Sequence, residues 1–521
     1  MVVAVLVRLP FVFTGLSTDE GGYAYVARRW ASGERLYDTV WLDRPQGLLL
    51  TYRLLLSIGG EGWTIRVGMV LAGAVLTVAV AAIAGLLVGR RAAIGAAWIY
   101  AIAGLAPHLE GMTLNGELLA GVPSTVSIAL LVLWWRRERS LWWLAGAGLL
   151  AGAALTMKQS GIDGIVVGAA LLVALRRCRH LALFGAAAAV PVAASALHGL
   201  VTGWGAYWSA LAGYQFAALG GEGSNSSTRL ADLGQHAGDI ALDTTLILLV
   251  SLLGWRWLDR GGRWVLGAWL FAGFVGINLG GSYWPHYFVQ PYPALVVLAA
   301  AAVAGLSRIP KTNATPKADA TPQTSATPKA DATPKTSATL KADKTCANKD
   351  ADGANKDADG AEAGAGGPGW MRRRLGPALG VILVLPTLVW LVALVPMSAQ
   401  RRADTIPYDA LARRDDRIAE VIEASTAPDD RIYVLESEAY LYFAADRVSP
   451  YPYLWGKPID KIPSALPELR AMLASPARPK LVVLDTPPAA VDPSGGIAAD
   501  LAAYYEPFTT VEGVPILRAA P

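Results

Sequence analysis

Cysteine is almost missing from this chain: two in 521 residues, Cys178 and Cys346. Both fall in segments that the charge pattern places on one side of a membrane, and the C-terminal region has none. Neither a disulfide framework nor a cysteine-based zinc site is supported. Histidine is scarce as well. The five (His108, His180, His198, His236 and His286) stand far apart, with no H-x-x-H or H-E-x-x-H pair. A P-loop, a Rossmann glycine pattern and a nucleophile elbow are also lacking. No cofactor or metal site is therefore expected, and dependence on a divalent metal is left open. Charged residues make up only 17% of the chain, with a net charge of +4. That small surplus sits in arginine clusters between apolar blocks and does not describe a nucleic-acid partner.

What the chain has instead is apolar sequence, 54% of its residues, gathered in blocks. Each block approaches the roughly 20 residues needed to cross about 30 Å of hydrocarbon. Spans are expected near 1–16, 65–89, 92–106, 118–135, 141–157, 161–175, 181–203, 240–257, 264–280, 289–307 and 376–397. The stretch 1–16 lacks a basic leader and a small-residue cleavage site, so it reads as a helix rather than a signal peptide, with its true start left open. Arg90-Arg91, Arg136-Arg137-Arg139, Arg176-Arg177-Arg179, Arg260 with Arg263, Arg308 with Lys311, and Arg372-Arg373-Arg374 all fall on one side of this count. By the positive-inside rule that side is cytoplasmic, which puts the loops 17–63 and 204–238 and everything after 397 outside.

A short acidic motif follows the first span: Asp19-Glu20, then Gly21-Gly22-Tyr23-Ala24-Tyr25. Carboxylates at the mouth of a membrane helix are costly to keep near lipid, which marks a functional site, although acids also favour a helix first turn. Tyr23, Val26, Ala27 and Trp30 share a stripe opposite Arg28 and Arg29, the pattern of a helix lying in the membrane interface, apolar face down. The arginines of this loop suit an anionic lipid headgroup, or simply snorkel.

Residues 309–374 are different material. Six-residue variants of Ala-Thr-Pro-Lys-Ala-Asp run through Asp343, followed by Ala-Asn-Lys-Asp-Ala-Asp-Gly repeats. Such polar repetition cannot bury a core and reads as a disordered cytoplasmic linker. Its Asp350-Ala351-Asp352 matches a D-x-D metal site only through repetition. Residues 398–521 read as a small α/β domain: a helix over Leu411 to Ser425 with Ile418, Val421 and Ile422 inward, strands over 431–435 and 480–484, and a helix over 465–474.

Five segments predicted at the outer face complete the pattern: Asp19-Glu20 to Trp30; Asp43-Arg44-Pro45-Gln46; Asn115-Gly116-Glu117; Met157-Lys158-Gln159-Ser160-Gly161; and Trp284-Pro285-His286-Tyr287-Phe288-Val289-Gln290-Pro291. In this order they resemble glycosyltransferase family 39, the membrane enzymes that include protein O-mannosyltransferases and aminoarabinose transferases. The similarity covers roughly residues 1–310 and departs from the family at the D-K-P-P-like turn, where Arg44 replaces Lys and Gln46 the second Pro. The resemblance implies a C-type glycosyltransferase fold: an all-α polytopic bundle of about eleven transmembrane helices, here with the small C-terminal α/β domain outside. It implies a polyprenyl-phosphate-linked sugar donor, a protein, lipid or glycan acceptor, and a site at the outer face of the cytoplasmic membrane.

Asp19 matches the family's catalytic aspartate and is the expected base. Glu20 and Glu117 are second choices, orienting hydroxyls. Arg44 and Lys158 suit a departing phosphate, since guanidinium and ammonium groups are natural partners of that anion. Tyr23, Gln159 and His286 complete the substrate-binding set, with interfacial packing against Tyr283, Trp284 and Tyr287 the alternative for His286. The competing class is a transporter or flippase of an anionic envelope precursor. Transporters, though, usually place ionisable groups near the bilayer midplane on broken helices in repeated halves. Neither the midplane charges nor a repeat is visible here.

Overall fold

The computed structural model describes residues 1–220, 226–307, 369–436 and 438–521. The expected linker 309–374 therefore lies almost wholly outside the described residues. Up to Leu306 the chain is helical. It runs through α1 (Val2–Leu6), α2 (Thr18–Ala31), α3 (Gln46–Gly59), α4 (Gly62–Leu87), α5 (Arg90–Ala103), α6 (Gly116–Arg137), α7 (Leu141–Met157), α8 (Asp163–Ala174) and α9 (Cys178–Thr202). The short α10 (Trp204–Trp208) and α11 (Tyr214–Gly220) flank a π-turn, and α12 (Ser226–Gly254), α13 (Arg260–Gly280) and α14 (Tyr292–Leu306) follow. After the undescribed segment, α15 (Gly369–Leu394) packs against α14 and α5.

Among the described residues six helices are long and apolar enough to cross a membrane, and four shorter apolar helices accompany them. Close packing of the bundle rests on small residues. Gly148 and Gly152 on α7 meet the carbonyls of Phe184 and Ala188 on α9, where any Cβ would collide. This is the small-xxx-small device that lets helix backbones approach. The outward faces carry large exposed apolar side chains such as Leu197, Leu200, Phe271, Phe274 and Val381.

Two expectations for this region are corrected. The stretch 1–16 is not one helix: α1 ends at Leu6, and a 3₁₀ turn, Leu9–Phe11, follows with Pro10 near its start. Proline lacks the N–H that an uninterrupted helix would need there. Arg8, at the break, is buried and donates to the carbonyls of Ala4 at 3.1 Å and Ala101 at 2.9 Å. Nor does α2 lay its apolar stripe on lipid. Tyr23, Val26 and Ala27 are buried in protein, and Gly21 and Gly22 lie beneath Tyr440 and Trp455 of the C-terminal unit. A Cβ at either glycine would push that unit away.

The C-terminal unit is α/β. Beyond α16 (Ala399–Thr405) and α17 (Pro407–Ser425) come the short helices α18 (Tyr440–Ala444), α19 (Gly456–Lys461), α20 (Ala465–Ala474), α21 (Pro488–Val491) and α22 (Gly496–Tyr504). Strands β1 (Ile432–Val434), β2 (Leu481–Val483), β3 (Tyr505–Val511) and β4 (Val514–Ala519) form one sheet in the order β1-β2-β4-β3. β1 and β2 are parallel, Tyr433 opposite Val482, and the rest is antiparallel. All six residues of the parallel pair β1 and β2 are buried. The β3–β4 hairpin, absent from the sequence reading, turns at Glu512-Gly513, both with positive φ (50° and 83°), as a tight hairpin turn requires.

Candidate functional site

At one end of the bundle the loops and helix starts converge with the C-terminal unit. The start of α2 is fixed locally. Ser17 Oγ accepts from Glu20 N at 3.3 Å, while Glu20 Oε2 accepts from Ser17 N at 2.9 Å, a reciprocal capping box. That geometry gives the two adjacent acids different surroundings. Glu20 is wholly buried, and its oxygens are taken by Ser17 N, by Leu114 N at 2.7 Å and by Arg66 Nη2 at 3.0 Å. Asp19 is only partly buried, and Tyr23 donates its hydroxyl to Asp19 Oδ2 at 3.2 Å. Burial raises the Asp19 carboxyl above the ordinary aspartate value; His286 and Arg44 pull it back, and Glu110 and Glu117 push it further up.

Cations surround this carboxylate. Lys158, ending α7, pairs with Glu117 at the start of α6 and lies 4.4 Å from the Tyr287 ring centroid. Its ammonium is lowered from the usual lysine value, first by burial, with Glu117 opposing and Arg44 adding to the effect. Arg44 pairs with Asp43, whose Oδ2 also accepts from Gln215 Nε2 at 3.1 Å. The two cations approach over Gly116: a Cβ there would lie 3.3 Å from Lys158 Cδ and 3.9 Å from Arg44 Nε. The Arg44 Nε atom is buried without a hydrogen-bond partner among the described residues. His286 Nε2 is 3.9 Å from Glu117 Oε1, and Nδ1 is 3.6 Å from Glu110 Oε2, beyond hydrogen-bond reach. Burial works against the charged imidazole, but Glu117 and Glu110 outweigh it and raise His286 above the ordinary histidine value.

The remaining sequence-selected residues hold the frame. Gln159 Nε2 donates to Asp43 O at 2.7 Å and Leu211 O at 3.3 Å, tying the Lys158 hairpin to the Arg44 turn. Gln46, where the family pattern has proline, bonds to α9: Ser195 Oγ donates to Gln46 Oε1 at 2.5 Å, and Gln46 Nε2 lies 2.9 Å from His198 Nδ1. Asp19, Tyr23, Arg44, Glu117, Lys158 and His286 are thus brought together, while Glu20 and Gln159 face neighbouring structure.

Several participants received no role in the sequence reading. Gln290 Nε2 bridges Ser160 O at 2.8 Å and Asp163 Oδ1 at 2.9 Å, locking the hairpin to the His286 segment. Arg66 adds Met112 O at 3.0 Å, Gly15 O and the Tyr408 ring at 4.9 Å to its pair with Glu20. Asp163 and Arg66 lie in expected spans, and an ionisable group inside a span was the available signal for both. The C-terminal unit joins through Thr18 Oγ1, which donates to Glu438 Oε2 at 2.9 Å, and Gly15 N, which donates to Asp409 Oδ1 at 3.2 Å. Among the described residues no three His, Cys, Asp or Glu side chains are grouped to hold a metal ion.

Solved structures of low sequence identity share this fold. The chain is similar along its whole length to ArnT from Cupriavidus metallidurans bound to undecaprenyl phosphate, with TM-score 0.59, 15% identity, and 100% of this chain and 98% of that one covered. It is also similar to the Archaeoglobus fulgidus oligosaccharyltransferase in complex with Zn and sulfate, with TM-score 0.53, 12% identity, and 92% and 67% covered. No family model matches the chain, and no curated protein matches it in sequence.

Proposed function

We propose that this protein is a membrane glycosyltransferase that moves a sugar from a polyprenyl-phosphate donor to an acceptor hydroxyl. The observation that carries the reading is the convergence of one partly buried carboxylate, Asp19, with two cations, Arg44 and Lys158, at one end of a C-type glycosyltransferase fold. Transfer needs a base for the acceptor proton and positive charge for the departing phosphate. Asp19 takes the proton as the acceptor oxygen attacks the anomeric carbon. The bond from that carbon to the phosphate oxygen breaks, and its electron pair leaves on the polyprenyl phosphate. Tyr23 orients the Asp19 carboxylate through its hydroxyl. Arg44 offers its free Nε to the phosphate, and Lys158, desolvated beside Glu117, adds a second charge. Glu20 acts by position, holding the start of α2 to Arg66.

Arginine asymmetry supports a site and C-terminal unit on the outer side of the cytoplasmic membrane, with 309–374 inside. Purified protein incubated with a panel of polyprenyl-phosphate sugars should release polyprenyl phosphate from at least one. Cysteines placed singly at Gly33 and Ser494 should be labelled from outside intact cells. No release from any donor, with Asp19→Asn indistinguishable from the parent, would sink the enzyme reading.

A further inference from the structure

A second cationic site lies away from Asp19, where α2 meets the loops of the C-terminal unit. Its cleft encloses about 370 Å³ and is lined by Arg28, Arg29, Arg431 and Arg447 against Asp429 and Asp446, a net charge of +2. Nine residues of helix at ~1.5 Å each set Arg28 roughly 14 Å along the axis from Asp19. A helix turns about 100° per residue, so Arg28 points to the opposite side of α2.

The charges here are unevenly compensated. Arg28 pairs with Asp446 at 2.9 Å, and Arg29 pairs with Glu34 but keeps a buried Nε without a partner among the described residues. Arg447 is buried, and its guanidinium is satisfied entirely by neutral oxygens: Thr426 Oγ1 at 2.9 Å, and the carbonyls of Ala445 at 3.0 Å, Thr426 at 3.0 Å, Asp446 at 3.2 Å and Glu423 at 3.5 Å. Among the described residues it has no carboxylate partner. Arg431 is exposed and likewise forms no ion pair. A buried cation without a counter-charge is expensive unless an anion can approach it. Planar guanidinium forks suit the oxygens of a phosphate group better than any other common anion-binding side chain.

We propose that this cleft binds a phosphate group, carried by a membrane phospholipid or by a soluble phosphate-bearing ligand, and so clamps the C-terminal unit onto α2. Arg29 comes from the helix that carries Asp19 and Arg431 from the C-terminal unit, so one anion bridges both, while Arg447, whose N–H groups are already taken, adds its charge at close range. The site does not depend on the transferase reading. It is tested by calorimetric titration of the full-length protein in neutral detergent, with inorganic pyrophosphate as the probe. Saturable binding is expected, weakened about tenfold by Arg431→Ala and by Arg29→Gln, the scale of one lost hydrogen bond to a charged group. Arg44→Ala should leave it in place. The same titration in phosphatidylcholine nanodiscs, with and without phosphatidylglycerol, separates the sources: a phospholipid occupant suppresses pyrophosphate binding in the discs relative to detergent, most strongly with phosphatidylglycerol, and a soluble one leaves it unchanged. Absence of binding to the parent protein, or binding indifferent to both cleft substitutions, overturns the proposal. Failure of the transferase reading would show separately, as no polyprenyl-phosphate release from any donor.

Discussion

Replacing Arg66 by methionine keeps an unbranched apolar stem, two atoms shorter, and removes a charge that four parts of the chain share. Its guanidinium reaches Glu20 at 3.0 Å and Met112 O at 3.0 Å, contacts Gly15 O, and faces the Tyr408 ring. Arg66 and Glu20 are both wholly buried, so methionine leaves a carboxylate in the interior with only two backbone N–H partners, those of Ser17 and Leu114. Breaking a buried pair from one side costs about 3–5 kcal/mol, because the surviving charge is uncompensated. Glu20→Gln added to Arg66→Met removes that charge, so the double variant should regain about 0.5–3 kcal/mol relative to the sum of the single losses. Unfolding of detergent-solubilised protein by dodecyl sulfate, read by circular dichroism, gives the three differences. Turnover should fall with stability in Arg66→Met, because Glu20 fixes the helix start beside Asp19. An Arg66→Met protein as stable as the parent, or strictly additive losses in the double variant, would refute the reasoning.

Asp19→Asn should lower kcat by about 10²–10⁴-fold, the usual contribution of a general base, while donor binding by the purified protein persists. Because burial raises the Asp19 carboxyl and only its ionised form accepts a proton, activity should fall on acidification at a higher pH than an ordinary aspartate would give; a pH–rate profile flat down to pH 4 would contradict this. Arg44→Ala and Lys158→Ala should each raise the donor concentration needed for half-maximal rate, and less than additively together, since both act on one phosphate; kinetics at varied donor concentration will show it. Deleting residues 314–360 should leave catalysis near the parent level, because loop entropy changes slowly with length; activity per inserted protein is the measure.

Apolar blocks and arginine clusters made the bundle legible, since hydropathy reports how much surface must leave water. They do not report what covers it. The stripe Tyr23, Val26, Ala27 has the period of a lipid-facing helix, yet protein covers it, and only the neighbouring Gly21-Gly22 hinted at a close approach. Pro10 was the visible sign that 1–16 would break. In the tail, continuous apolar runs marked β1 and β2, whereas β3 alternates polar residues around Pro507 and its pairing rests on the Glu512-Gly513 turn. Asp19, Tyr23, Arg44, Glu117, Lys158 and His286 were each selected from local motifs, and the fold gathers them. The Ser17-x-x-Glu20 spacing is a local capping signature, but the pairing of Glu20 with Arg66 was not legible, because it depends on a partner 46 residues away. The link from Thr18 to Glu438 spans 420 residues, and no local pattern encodes it.

The packing of α15 against α14 and α5 means that this membrane interface does not need the covalent link through the undescribed segment 308–368. Cut there, the chain becomes a larger and a smaller polypeptide with complementary surfaces: the helix contacts within the bilayer, and beside it the bonds donated by Gly15, Thr18 and Arg28 to Asp409, Glu438 and Asp446 and by Ser449 N to the Tyr25 hydroxyl. In assembly terms the two segments meet as two subunits of a complex would. Fragments 1–307 and 369–521, expressed from separate reading frames, should therefore co-purify in equal amounts.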